Sequence, residues 1–124
     1  MSQQAVPHTL EDQLRSAPEH SPQLEKLLQN AREASDFLKA LSHENRLLLL
    51  CLLCEKERSV GELENILALR QATVSQQLAR LRYDDLVTTR RDGKTIYYSI
   101  ANDDIRRFVS VIYDMFCTSR TAKK

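Results

Sequence analysis

The stretch Leu47-Leu-Leu-Leu-Cys-Leu-Leu-Cys54 constrains this chain more than any other. It puts apolar side chains around the whole circumference of a helix, so other elements must surround it. As the longest apolar run in the chain it is still far too short for a bilayer, which needs about 20 such residues. We read it as the central post of a core, a helix from His43 to about Glu57 capped by Ser42. At 124 residues and 42% hydrophobic, the chain can supply one such core with little left for a second.

The other elements follow in order. Residues 1–20 are polar, hold Pro7 and Pro18, and show only a weak apolar pattern at Leu10 and Leu14, which predicts a mobile arm with one helical turn. His8 and His20 stand there without a partner at ligand spacing and read as exposed histidines. Ser21 then Pro22 is an N-cap with proline at the first helical position, and Leu24, Leu27, Leu28, Ala31, Leu38 and Leu41 recur at helical spacing, so a first long helix runs to about Leu41. Beyond the post, Ser59 and Glu62 make a capping-box pattern before Leu63, Ile66 and Leu67, which predicts a short third helix. A turn at Ala68–Arg70 leads into a fourth.

That fourth stretch, Leu69 to Arg82, has Val74, Leu78 and Leu81 on one narrow apolar stripe. Gln71, Thr73, Ser75, Gln76, Gln77 and Arg80 take the flanks and the opposite face. Gln pairs bidentately with adenine, Arg with guanine, and Ser or Thr with phosphate or base, so the polar side carries what reading the major groove of double-stranded DNA needs. An isolated helix of this kind is more often a solvated surface; a short helix and tight turn before it make the pair a helix-turn-helix.

Val87–Arg91 and Thr95–Ile100 are β-branched and aromatic runs joined through Asp92-Gly93, a strong hairpin signal. Arg90, Arg91 and Lys94 crowd its tip, where a basic wing can lie along phosphates or enter the minor groove. Asn102 caps a fifth helix, Asp103 to about Thr118, with a stripe of Ile105, Phe108, Val109, Ile112 and Phe116. The expected fold is mainly α with a β-hairpin wing: a winged helix-turn-helix of four helices, two strands and a final helix. Its bounds are an arm over 1–20, a DNA-binding and dimerisation domain over 21–118, and a tail over 119–124. The first and fifth helices carry more apolar surface than so small a domain needs, which points to a homodimer paired through them. A twofold dimer with one reading helix per subunit calls for an inverted-repeat operator.

Charge supports the same division. Residues 1–64 hold 7 Lys and Arg against 11 Asp and Glu, net −4, and residues 65–124 hold 11 against 6, net +5. The half with the reading helix is the basic half. The start Met-Ser-Gln-Gln-Ala-Val-Pro lacks the basic and apolar regions of a signal peptide, so a cytoplasmic protein that does not enter membranes is expected. Three cysteines, Cys51, Cys54 and Cys117, make no disulfide framework; in a reducing compartment they are buried hydrophobes, metal ligands or reactive thiols. No Cys-x-x-Cys opens a helix beside a βαβ unit and the chain has two glycines, so a dithiol oxidoreductase or another cofactor-dependent enzyme is disfavoured and no cofactor is expected. A protein-interaction module that keeps the winged helix without reading DNA stays open.

Leu41-Ser-His-Glu-Asn-Arg-Leu, Gln71-Ala-Thr-Val-Ser-Gln-Gln-Leu and Arg91-Asp-Gly-Lys-Thr-Ile-Tyr-Tyr-Ser-Ile, in that order, resemble the ArsR/SmtB family of dimeric winged-helix repressors over about residues 24–118. The resemblance implies a repressor released from its operator by a chemical signal. Metal-sensing members carry a Cys-x-Cys pair where Ser59 and Gly61 stand here, or an Asp/His set on the last helix, which here has no histidine. No metal site of the familiar kinds is therefore expected. Cys51 in its Leu-Cys-Leu-Leu context and Cys117 in a closing Phe-Cys pair are similar to the two thiols of the family's sulfide- and persulfide-responsive repressors. That likeness implies redox sensing, with reactive sulfur species as inducer and a polysulfide bridge between Cys51 and Cys117 disfavouring DNA binding; peroxide, an electrophile or a thiophilic metal are the alternative signals. Cys54 has no counterpart in the pattern.

Overall fold

The structure, a computed structural model, describes residues 9–16 and 21–118, with side chains through Phe116. His8, His20 and the tail over 119–124 lie outside the described residues, as does the side chain of Cys117. The chain divides into two compact units, Met1–Leu38 and Lys39–Lys124.

In the first unit, α1 spans Leu10–Ser16 and α2 begins at Pro22, running on to Leu41 in the second. The single helical turn expected in the arm is thus a seven-residue helix. Thr9 starts it, its hydroxyl accepting from the Asp12 amide at 3.1 Å. No residue of α1 is buried, and Leu10 and Leu14 stay exposed. α2 opens as its cap predicts: Ser21 Oγ accepts from the Leu24 amide at 3.1 Å, with Pro22 in the first turn.

The second unit comprises the end of α2, then α3 (Glu44–Glu55), β1 (Arg58–Ser59), α4 (Val60–Leu67), α5 (Gln71–Tyr83), β2 (Val87–Asp92), β3 (Thr95–Ile100) and α6 (Asp103–Tyr113), closed by a π-helical turn, Asp114–Thr118. His43, not Ser42, caps α3: its Nδ1 accepts from the Asn45 amide at 3.2 Å, while the Ser42 hydroxyl donates to Lys39 O. α3 packs on α6, α5 and β3, so the apolar run does act as the post. It is not enclosed all round, however. Leu49, Leu50 and Leu53 are fully buried, whereas Leu47, Cys51, Leu52 and Cys54 are half-buried and Leu48 is exposed.

Leu63 from α4, Val74, Leu78 and Leu81 from α5, and Val109 from α6 join those three leucines as the large side chains that are fully buried. Each such side chain contributes about 1.5–3 kcal/mol through burial. The stripe expected on the fourth predicted helix is therefore the buried edge of α5, residue for residue.

A two-residue strand that the pattern of Glu57-Arg-Ser did not announce turns the hairpin into a three-stranded antiparallel sheet of order β1-β3-β2. Arg58 pairs with Tyr98 and Ser59 with Tyr97. Ser59 then serves twice, as the end of β1 and as the N-cap of α4. The capping box is complete: Ser59 Oγ accepts from the Glu62 amide at 3.2 Å, and Glu62 Oε1 accepts from the Ser59 amide at 2.8 Å. In the hairpin Asp92 pairs with Thr95, leaving Gly93-Lys94 as the two-residue loop. Gly93 alone has positive φ, at 65°, which is the II′ pattern and the reason glycine stands there.

Asn102 caps α6 as predicted, Oδ1 accepting from the Ile105 amide at 2.9 Å. Its α-helical part ends five residues before Thr118, and Val111, Tyr113, Met115 and Phe116 are exposed. No helix among the described residues is long and apolar enough to cross a membrane.

Candidate nucleic-acid interface

The turn between α4 and α5 is made by backbone geometry rather than glycine. Ala68 lies in the left-handed region at φ 56°, and the Ala68 and Leu69 amides both donate to Glu64 O, closing α4 tightly enough for α5 to start three residues later. At the far end of α5 the same device recurs. Asp85 is left-handed at φ 60°, its amide donates to Arg82 O and that of Leu86 to Leu81 O at 2.9 Å, a Schellman closure with Leu81 and Leu86 both buried. The reading helix is thus fixed at both ends.

With Val74, Leu78 and Leu81 inward, helical spacing turns Ala72, Gln76, Ala79 and Tyr83 directly outward. Gln71, Gln76 and Arg80 are exposed; Thr73, Ser75 and Gln77 are half-buried on the flanks. Two of these six predicted contacts already hold partners. Gln77 Oε1 accepts from Arg46 Nη1 at 3.1 Å. Because a guanidinium only donates, this fixes the Gln77 amide with its NH2 edge turned away from Arg46. Arg80 Nε donates to Asp84 Oδ2 at 2.7 Å, and the carboxylate raises its already high pKa.

The wing divides in the same way. Arg91 and Lys94 are exposed, with no side-chain partner among the described residues. Arg90 is engaged three times over: by both carboxylate oxygens of Glu57, by the face of Tyr97 at 4.6 Å, and by Asp92 at 4.0 Å. Arg90 in turn holds the Glu57 carboxyl below its usual range.

Several groups escaped sequence reasoning. Arg70 and Arg82 at the two ends of α5 are exposed and carry no side-chain partner among the described residues, and Tyr83 is 83% exposed on the outward line. The helical wheel was enough to find all three. Arg46 was visible only as part of a motif, and Glu57 not at all, since nothing local marks their partners.

The thiols are differently placed. Cys54 faces α6: its thiol lies 3.9 Å from Arg106 O, and Arg106 Nη1 donates to Cys54 O at 2.6 Å. Burial pushes the Cys54 thiol up, against a smaller pull from the Arg106 charge and a Ser110 hydrogen bond, which makes it a poor source of thiolate. Cys51, one helical turn before Cys54 on α3, is half-buried, and the backbone of Cys117 lies in the turn that closes α6. Among the described residues no cluster of three His, Cys, Asp or Glu is placed to hold a metal ion.

Comparison with known proteins adds four findings. Residues 43–89 match the family model described as bacterial regulatory protein, arsR family. The chain is 38% identical to the transcriptional activator HlyU of Vibrio cholerae, over 84% of this chain and 94% of that relative. It is 46% identical to the biofilm growth-associated repressor of Agrobacterium fabrum, over 77% of this chain and 80% of that one. The solved structure of reduced HlyU from Vibrio cholerae superposes with a TM-score of 0.72 at 36% identity, covering 76% of this chain and 99% of that structure.

Proposed function

The chain belongs to the ArsR family of bacterial regulatory proteins, and from that premise we propose that it is a homodimeric repressor that binds an inverted-repeat operator in double-stranded DNA and releases it when reactive sulfur species modify Cys51 and Cys117. One observation carries the DNA-binding part: α5 buries its apolar edge completely while Gln71 and Gln76 stay exposed, and Arg70 before α5, Arg82 on it, and Arg91 and Lys94 on the wing are unclaimed cations among the described residues. Gln71 and Gln76 take base edges, Thr73 and Ser75 bases or phosphates, and the unclaimed cations hold the backbone. Gln77, Arg80 and Arg90 join after sharing or exchanging their present partners. The dimer seam draws on the apolar surface exposed on each of two helices, Leu28 and Leu38 on α2 and Val111, Tyr113, Met115 and Phe116 around the end of α6.

The inducer chemistry needs two thiols that can exchange with a chain of sulfurs. With a polysulfide RS–Sn–SR, the two cysteine thiolates displace both terminal thiols and leave Cys–Sn–Cys with two RSH, so no further oxidant is required. The seclusion of Cys54 against α6 supports leaving it out of the bridge, and a relative described in a reduced form supports a thiol-dependent state. The test is operator affinity and intact mass measured together after polysulfide, peroxide and metal treatment. Cys51→Ser and Cys117→Ser should bind DNA nearly as the parent and fail to release it, while Cys54→Ser responds normally. Release of DNA by a mutant lacking both Cys51 and Cys117 would overturn the switch. Protection of a single asymmetric site would overturn the twofold operator.

A further inference from the structure

The function above needs Arg90 to part from its present partner, Glu57, but gives Glu57 itself no role. Glu57 sits in the connection between α3 and β1, and Arg90 on β2, 33 residues later. Arg90 Nε lies 3.0 and 2.9 Å from the two carboxylate oxygens, and Nη2 also donates to Oε1. The Tyr97 ring backs the guanidinium, and the Ser99 hydroxyl reaches Glu57 Oε2 at 3.5 Å. The arginine is held in plane by one wall and neutralised along one edge.

Two features argue that this edge is exchangeable. Both side chains are solvent-accessible, Arg90 at 52% and Glu57 at 36%, and ion pairs of such exposure contribute little to a fold. In addition, a phosphate presents a guanidinium with the same two-oxygen edge as a carboxylate, and Tyr97 would hold the fork in place for either. The neighbouring Arg91 and Lys94, which have no such competitor among the described residues, lie on the same wing.

We propose that Glu57 occupies, in the DNA-free protein, the seat that a backbone phosphate takes when the wing docks, so that Arg90 is handed from carboxylate to phosphate. The exchange rests on the DNA-binding function proposed above. It makes Glu57 a built-in competitor that sets how firmly the wing grips, without touching a base.

The experiment uses the full chain and a labelled 30-base-pair duplex of random sequence, titrated across salt concentration, with the parent, Glu57→Gln, Arg90→Ala and the double variant. Glutamine keeps the length and the Ser99 contact and removes the charge. Glu57→Gln should tighten binding by about two- to fivefold at low salt, the range an exposed pair can supply. Arg90→Ala should weaken binding and lower the salt slope by about one unit, the loss of one phosphate contact. In the Arg90→Ala background, Glu57→Gln should change affinity by less than about 1.5-fold. An equal gain with and without Arg90 overturns the exchange, because Glu57 would then act only by repelling DNA; so does an unchanged or weaker Glu57→Gln whose thermal unfolding matches the parent. If the parent binds no duplex at any salt, the DNA-binding function itself falls, and the exchange with it.

Discussion

Arg46→Met tests whether the second unit is tied together where its helices end. The last carbonyls of α2 have no intrahelical partner, and the only basic residue in its final turn is Lys39. Arg46 supplies what is missing: Nε lies 2.7 Å from Ala40 O and Nη2 3.5 Å from Lys39 O, while Nη1 reaches Gln77 on α5. One guanidinium therefore joins the end of α2, the start of α3 and the reading helix. Methionine fills the space of the arginine stem and removes every donor. Ala40 is fully buried, so its carbonyl is left stranded, at about 1–3 kcal/mol, and the bond lost was a charged one at the upper end of that range. Gln77 is half-buried and regains water, adding about 0.5 kcal/mol. The expected total is about 2–3 kcal/mol, a large share of the roughly 5–15 kcal/mol that stabilises a domain. In urea unfolding the midpoint should fall by about 1–2 M with an unchanged slope. Gln77→Ala, which removes only the 3.1 Å bond, should cost less than about 1 kcal/mol. A midpoint for Arg46→Met within about 0.3 M of the parent would refute the role of this arginine as a clamp.

Three further outcomes are expected. Gln76→Ala should weaken operator binding by about 1–3 kcal/mol and relax base preference, whereas Arg91→Ala should weaken all sequences alike and lower the salt slope by about one; equal behaviour of the two in a binding-site selection would remove the division between reader and wing. Ala68→Gly should raise stability by up to about 1 kcal/mol by relieving the left-handed strain at φ 56°, and Ala68→Val should lower it, as thermal unfolding will report. Because the raised pKa of Cys54 lies in the folded state, its contribution to stability is full below the ordinary thiol range of about 8.5 and is lost as pH rises through the higher folded value. Alkylation of Cys54 in the native protein should accordingly need higher pH than in the unfolded chain, and equal profiles would contradict its seclusion.

Local rules carried much of this molecule. Ser21-Pro22, the Ser59/Glu62 box and Asn102 each marked a helix start that the structure reproduces, because a cap is satisfied within three residues and leaves its signature there. Val74, Leu78 and Leu81 were legible as a buried edge because helical periodicity converts spacing directly into a face. The same logic misplaced the cap of α3, since serine is the commoner cap and His43 took the position one residue later. It also missed β1, whose two residues pair with Tyr97 and Tyr98 through backbone bonds alone. The helical wheel of Leu47–Cys54 required company on every side, but only the packing showed which side lacks it, at Leu48.

Sequence by itself determined the order of the helices from α2 to α6, the hairpin, the outward amides of α5 and the family, because periodicity, caps and turn chemistry act over a few residues. Tertiary structure alone decided which cations are available to a partner. Arg46 meets Gln77 across 31 residues and Arg90 meets Glu57 across 33. An arginine that will be neutralised by a distant carboxylate looks the same in sequence as one that will stay unclaimed, since a long side chain carries no mark of the acid or carbonyl that folding brings to it.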